Sequence, residues 1–394
     1  MKFKRNAIFI ILWLISITAQ AQNVNVKQAV NAAANQINVM LDQIPSAKGT
    51  AVNLVSPRTI ENGKLKMVVA RDWTSGFFPG MLWYMYELTK DPKWLGEAKL
   101  FTANVEKQQF TTTTHDLGFI LYCSYGNGYR LTGDTSYRPI IIQSAKSLSK
   151  RFSPVTGVIR SWDHHADQWQ FPVIIDNMMN LELLFEATKL TGDSSYYKIA
   201  VSHANTTLKN HFRKDFSSYH VVDYDPVNGA VKAKATAQGY ADESSWARGQ
   251  AWALYGFTMC YRETKDKAYL VQADHIADYI FHQAQNLPAD KIPYWDFNDP
   301  KIPASPRDAS AAAIMASGLF ELSQYSSKGK AYRKTAEQLL STLSKDYTSK
   351  PGTNYGFLLE HSTGNKPSNS EIDVPIIYAD YYYLEALLRS RQLR

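Results

Sequence analysis

The stretch Tyr86-Glu-Leu-Thr-Lys-Asp91-Pro-Lys-Trp94 decides the fold, because its phrase returns along the chain. It reappears as Tyr129-Arg-Leu-Thr-Gly-Asp134-Thr-Ser-Tyr137 and as Ala187-Thr-Lys-Leu-Thr-Gly-Asp193-Ser-Ser-Tyr196. A further copy is Tyr261-Arg-Glu-Thr-Lys-Asp266-Lys-Ala-Tyr269, and a degraded one spans Leu322 to Tyr332. In the clear copies an aromatic ring follows the Asp by three residues, and helix-period apolar residues flank each copy. The reading is a helix, a tight turn, an Asp N-cap and a second helix. Pro92, directly after Asp91, suits a first helical position. Repeated helical hairpins that each leave an apolar face bare must bury it against their neighbours.

Apolar periodicity and caps predict helices at 25–44, 75–90, 92–110, 116–132, 134–151 and 175–191. Six more are predicted at 193–212, 246–264, 266–285, 307–325, 329–347 and 378–392. Six hairpins close into a ring, so the expected fold is all-α, a single (α/α)6 barrel with the even-numbered helices inside. Ser245 to Gly256 and Ala309 to Gly318, rich in small residues, suit inner helices. Irregular stretches at 45–74, 152–174, 213–245, 286–306 and 348–377 each precede an even-numbered helix. One end of the ring therefore carries short turns and the other long loops, where function tends to sit. Residues 219–236 alternate around Asn228-Gly229 and predict a small β-hairpin on that rim.

The chain has 394 residues, 45% hydrophobic and 13% aromatic, which is ample for one large core. Lys2, Lys4 and Arg5 precede an apolar stretch from Ala7 to Ile17, then Ala19-Gln20-Ala21. This reads as a secretory signal peptide over 1–21, leaving 22–394 as the barrel domain and implying a periplasmic or secreted protein. The apolar stretch is short for a membrane span, so no membrane association is expected after cleavage. The formal charge of +7 includes the three cations of the leader; without them, so weak a positive balance excludes a nucleic-acid footprint. Cys123 and Cys260 sit in apolar helical context and read as two buried thiols rather than a pair. Neither CxxC nor HExxH occurs, so no metal or cofactor is expected. Asp223-Tyr-Asp225-Pro-Val-Asn-Gly229 lacks the closing Glu of a calcium loop and reads as a hairpin turn.

The starts of the even-numbered helices collect polar and aromatic residues. They are Trp73, His115-Asp116, Asp176, Trp246-Ala-Arg248, Arg307-Asp308 and Tyr378-Ala-Asp380. Their free N–H groups make the mouth of the ring friendly to anions. Asp308 and Asp380 read first as caps. Asp116 and Asp176 compete with that reading as a carboxyl pair, in which one stays protonated and serves as an acid. A helix N-terminus lowers an Asp pKa, so burial and the neighbouring carboxylate must outweigh it. Trp73, Trp246 and Trp252 are candidates to stack on sugar rings. Arg248 is a candidate fork for a carboxylate or sulfate, against an ordinary rim salt bridge.

The string Gly239-Tyr-Ala-Asp-Glu-Ser-Ser-Trp246-Ala-Arg248-Gly-Gln-Ala-Trp252-Ala-Leu-Tyr-Gly256 resembles the signature of unsaturated glucuronyl hydrolases, glycoside hydrolase family 88. Thr114-His115-Asp116-Leu-Gly118-Phe119 and Asp176-Asn-Met-Met-Asn180-Leu resemble its two acidic motifs. Arg307-Asp308-Ala-Ser310 and Tyr378-Ala-Asp380 also match, and the likeness runs from about residue 30 to the C-terminus. The resemblance implies an α6/α6 barrel, in agreement with the helix count.

It also implies hydrolysis by hydration. The substrate carries a C4=C5 unsaturated uronic acid, left at the non-reducing end by a polysaccharide lyase. An acid protonates C4, water adds at C5, and the resulting hemiketal opens. By resemblance Asp176 is that acid and base, and Asp116 tunes it and holds ring hydroxyls. His115, His220 and Gln238 then line the uronide site, Arg248 and Trp252 lie near the substrate, and Trp73 stacks on a sugar. The loop from His361 through Ser362 to Lys366 sits where family members read sulfate on the second sugar, with altered spacing. The implied partner is an unsaturated chondroitin, hyaluronan or heparin disaccharide, bound by a monomer or homodimer. The rival readings are an unsaturated rhamnogalacturonyl hydrolase acting on pectin fragments, an inverting glycosidase or lyase on the same barrel, and a non-catalytic sugar-binding barrel.

Overall fold

The computed structural model describes residues 24–284 and 287–393; the leader read over 1–21 lies outside them. Each recurring turn closes the same way. The Thr hydroxyl donates back one turn and accepts the N–H of the Asp two residues on. Thr264 donates to the Cys260 carbonyl at 2.7 Å and accepts from the Asp266 N–H at 3.1 Å. The residue between them takes a left-handed conformation, as at Lys90, Gly133, Gly192 and Lys265. The carboxylates of Asp91, Asp134, Asp193 and Asp266 then accept from the backbone N–H two residues further on. A helix stop and a helix start are thus written into three consecutive residues.

The outer helices are α1 (Val26–Lys48), α3 (Pro92–Ala103), α5 (Arg138–Ser149), α7 (Ser194–Asn210), α9 (Lys267–Asp278) and α11 (Gly329–Asp346). The inner ones are α2 (Phe77–Thr89), α4 (Asn127–Thr132), α6 (Leu181–Thr191), α8 (Ala247–Thr264), α10 (Ala309–Leu322) and α12 (Ile377–Gln392). The α4 rod begins as a π-helix at Gly118–Gly126, and the α6 rod begins as a 3-10 turn at Ile175–Asn180. Inner neighbours pack in sequence, and α12 closes on α2. Every residue of α10 is buried, which its run of Ala, Ser and Gly permits. The expected (α/α)6 barrel is therefore present, with helix ends moved by a few residues.

The rim carries more strand than expected. The hairpin β6 (Val221–Tyr224) with β7 (Val231–Ala235) is joined by β5 (Pro172–Ile174) as a third antiparallel strand. Residues 45–74, read as irregular, hold a second hairpin, β1 (Leu54–Glu61) with β2 (Lys64–Val69), turning at Asn62 and Gly63, both at positive φ. A two-residue pair, β3 (Phe152–Ser153) with β4 (Val158–Ile159), completes the set. Cys123 and Cys260 are free and buried. Among the described residues no helix is long and apolar enough to cross a membrane.

Candidate active site

Asp176 stands in the 3-10 turn that follows β5. The ladder pairs Ile174 with Val221, and the Ile175 N–H extends it to the His220 carbonyl at 3.0 Å. Sheet pairing therefore fixes Asp176 and His220 side by side. His220 Nε2 lies 3.8 Å from Asp176 Oδ2. Burial pushes the Asp176 carboxyl up to about 7; Arg248, a backbone N–H and Trp252 oppose it, and the Asp116 charge adds to it. At neutral pH a large fraction of this acid keeps its proton.

Asp116 comes from the neighbouring rod. Thr114 pairs with Trp162 in an isolated antiparallel bridge, and its hydroxyl donates to Asp116 Oδ2. His115 Nε2 lies 3.2 Å from Asp116 Oδ1, and burial holds that imidazole below its ordinary pKa. The two acidic segments touch at Gly118. A Cβ there would meet the Asn180 Cα at 2.7 Å, and the Phe119 N–H donates to the Asn180 side chain at 3.0 Å. Only glycine permits that approach, and the Asp116 charge adds to the upward push on the Asp176 carboxyl.

The remaining residues form a connected wall. The N–H groups of Ala237 and Gln238 donate to His220 Nδ1 at 3.0 and 3.2 Å. Arg248 donates to the Gln238 side chain at 3.2 Å, to Asp308 at 3.1 Å, and to the carbonyls of Thr363 and Gly364, each at 2.6 Å. Its terminal nitrogens are thus engaged within the chain, and it holds the loop after His361. Asp308 caps α10 through the N–H groups of Ser310 and Ala311, as read from sequence. Asp380 differs from the expected cap: its carboxyl accepts from Leu358 and Leu359 across the barrel mouth.

Trp252 is fully buried, and its ring meets Phe119 at 5.2 Å. Trp73 is half-buried against Phe119 at 5.6 Å and Tyr378 at 5.0 Å. Trp246 lies over the His220 ring at 4.6 Å. The Ser362 hydroxyl is buried without a hydrogen-bond partner, and the Ser362 backbone pairs with Val374. Lys366 donates to Asp299 at 3.0 Å and lies 4.7 Å over the Trp295 ring. The loop from Ser362 is also held from the far side, where Arg58 grips Glu371 at 2.6 and 2.9 Å.

Sequence reasoning missed Trp162, whose ring edges His220 at 5.8 Å and stacks on His164 at 5.0 Å. The signal was the run Ser161-Trp162-Asp163-His164-His165, inside a loop already placed at the mouth. Among the described residues no group of three or more His, Cys, Asp or Glu side chains is disposed to hold a metal ion.

Known proteins resemble the chain in sequence and in fold. An unsaturated glucuronyl hydrolase of Formosa agariphila is 53% identical over 328 residues, covering 83% of this chain and 82% of the relative. An unsaturated chondroitin disaccharide hydrolase of Streptococcus agalactiae is 32% identical, covering 93% and 91%. The crystal structure of an unsaturated glucuronyl hydrolase specific for heparin superposes with a TM-score of 0.88 at 50% identity, covering 93% of this chain and 97% of that one. Residues 50–388 match the family model of Glycosyl Hydrolase Family 88, and the chain belongs to that family.

Proposed function

We propose that the chain removes the 4,5-unsaturated uronic acid from the non-reducing end of lyase-generated glycosaminoglycan fragments. The observation that carries this reading is the buried Asp176 carboxyl, pushed up to about 7 beside Asp116 and His220. A vinyl ether needs a proton donor strong enough for carbon yet protonated at working pH, and such an acid meets both demands. Asp176 gives its proton to C4, and the cation that forms is shared between C5 and the ring oxygen. Water adds at C5 and returns a proton to the Asp176 carboxylate. The hemiketal opens by breaking the bond from C5 to the ring oxygen, and the hemiacetal this leaves at C1 collapses to an aldehyde and releases the next sugar. Acid and base are one group used in turn, so no second carboxylate is required at the anomeric carbon.

Heparin-type fragments are the favoured class. Half of the aligned residues are shared with a relative described as specific for heparin, against about a third with relatives described as acting on chondroitin disaccharides. Lys366 supports a loop that reads the second sugar, although Asp299 already neutralises it. Residues 1–21 act as an export signal in this reading, with a mature N-terminus at Gln22 that N-terminal sequencing of the exported protein tests. The enzyme should bleach the ultraviolet absorbance of unsaturated disaccharides, fastest on the heparin series, and Asp176→Asn should abolish the loss. Full turnover in that variant would remove Asp176 from the acid role, and faster loss on chondroitin disaccharides would overturn the class preference.

A further inference from the structure

His220 sits in a cage that fixes more than its position. Its side chain is 1% exposed, and the ring lies between Trp246 at 4.6 Å and the edge of Trp162 at 5.8 Å. Nδ1 carries one in-plane lone pair, and two backbone N–H groups, of Ala237 and Gln238, point at it. A proton on Nδ1 would face both donors, so the backbone admits only an unprotonated Nδ1. The neutral ring then carries its hydrogen on Nε2. That atom faces Asp176 Oδ2 at 3.8 Å, too long for a hydrogen bond, and both atoms are buried without a hydrogen-bond partner.

We infer that the loop after β7 locks His220 as its Nε2–H tautomer, and that this N–H closes from 3.8 Å onto Asp176 Oδ2 when substrate binds, so that the acid proton resides on Oδ1. The inference rests on the reading of Asp176 as the acid. An N–H aimed at Oδ2 favours the carboxyl rotamer whose oxygen there is bare, and the proton goes to the other oxygen. Without it the proton divides between two positions, one of them pointed into the wall. His220 is thus a positioning residue that acts through Asp176 and exchanges no proton itself. Burial disfavours an imidazolium first, and the charged and titratable groups acting on the ring, Arg248 on α8, His211 after α7 and His115 before the π-helix, act in the same direction. Asp176 is the group opposite, and it is itself protonated for much of the range.

The test has a spectroscopic arm and a kinetic arm. In the intact protein labelled with 15N-histidine, two-bond proton–nitrogen spectra should report His220 as unprotonated at Nδ1 and protonated at Nε2 from pH 5 to pH 9. The His220 signals are assigned by their loss in His220→Gln. A proton on Nδ1, or a titration within that range, would overturn the lock. In the kinetic arm His220→Gln keeps an N–H donor, and kcat should fall by no more than about tenfold. His220→Leu removes the donor; kcat should fall by about a hundredfold, with KM little changed and the upper limb of the pH profile displaced. A Gln variant as slow as the Leu variant would mean that His220 transfers a proton and would sink the positioning role. Turnover surviving in Asp176→Asn would instead sink the functional reading and leave the tautomer measurement standing.

Discussion

Arg248 and Asp308 form an ion pair at 3.1 Å in which the side chains are 2% and 0% exposed. The same guanidinium holds the carbonyls of Thr363 and Gly364, so one residue ties the starts of α8 and α10 to the loop that carries Ser362. Arg248→Met leaves the Asp308 carboxylate buried without its cation, which costs about 3–5 kcal/mol. Arg248→Lys keeps a charge and loses the fork that spans two carbonyls. We expect the Met variant to show a large loss in urea melts. The Lys variant should fold with a smaller loss and a KM raised about tenfold, equivalent to about 1.4 kcal/mol. An unaltered KM in the Lys variant would mean that the loop does not depend on the fork.

The raised pKa of Asp176 couples activity to pH. The protonated form is the acid, so kcat should fall as pH rises through about 7. The stability sign follows from the same shift. The folded state binds this proton more tightly than the unfolded chain, so the contribution is whole below the ordinary pKa near 3.8 and lost as pH rises through about 7. Above that, the fold carries a buried anion, at a cost of up to about 4 kcal/mol. Asp176→Asn should therefore be inactive and, relative to the parent, more stable at pH 8 than at pH 5. A stability difference that stays flat between those pH values would show that burial does not dominate at this carboxyl.

The Thr-x-Asp turns make a local prediction. Asp266→Ala removes the acceptor for the Ala268 N–H at the start of α9 and should cost about 1 kcal/mol. Thr264→Val deletes a hydroxyl that both donates to Cys260 and accepts from Asp266, and should cost a similar amount. Both changes lie at the short-turn end, so thermal melts should move while kcat and KM hold. A kinetic effect from either would mean that the two ends of the barrel are coupled.

The barrel was legible because its punctuation is local. Each Thr-x-Asp turn is closed by bonds that reach four residues at most, so the string itself carries the geometry. Asp116 and Asp176 stood out as candidates for a related reason, since Thr114-His115-Asp116 is an unusual helix entry and Asp176 directly follows the apolar run through Ile174 and Ile175. What was not legible is long in sequence and short in space. Arg248 reads as a fork for a substrate anion until Thr363 and Gly364 come to it from more than a hundred positions away. The β1–β2 hairpin did carry a signal, Asn62-Gly63, but the strands beside it alternate poorly around Pro57 and Arg58. Asp380 looked like a cap because it lies near a helix start, and nothing nearby in sequence marks Leu358 and Leu359 as its partners.

Asp380 gives the last prediction. It is fully buried, and each carboxyl oxygen accepts one backbone N–H, from Leu358 at 2.8 Å and from Leu359 at 2.9 Å. Burial pushes this carboxyl up to about 8 while the two donors pull the other way. In either protonation state both oxygens keep a lone pair for their N–H. An amide does not: Asp380→Asn puts an NH2 group against one of the two donors and leaves a buried N–H unpaired, at a cost of about 1–3 kcal/mol. Leu358 and Leu359 lead directly into Glu360, His361 and Ser362, so the damage should travel to the mouth. We expect Asp380→Asn to lower the urea midpoint and raise KM together, with kcat less affected because Asp176 keeps its own ladder to His220. A lower midpoint with KM unmoved would confine Asp380 to the scaffold, and an unmoved midpoint would remove these two bonds from the account of the fold.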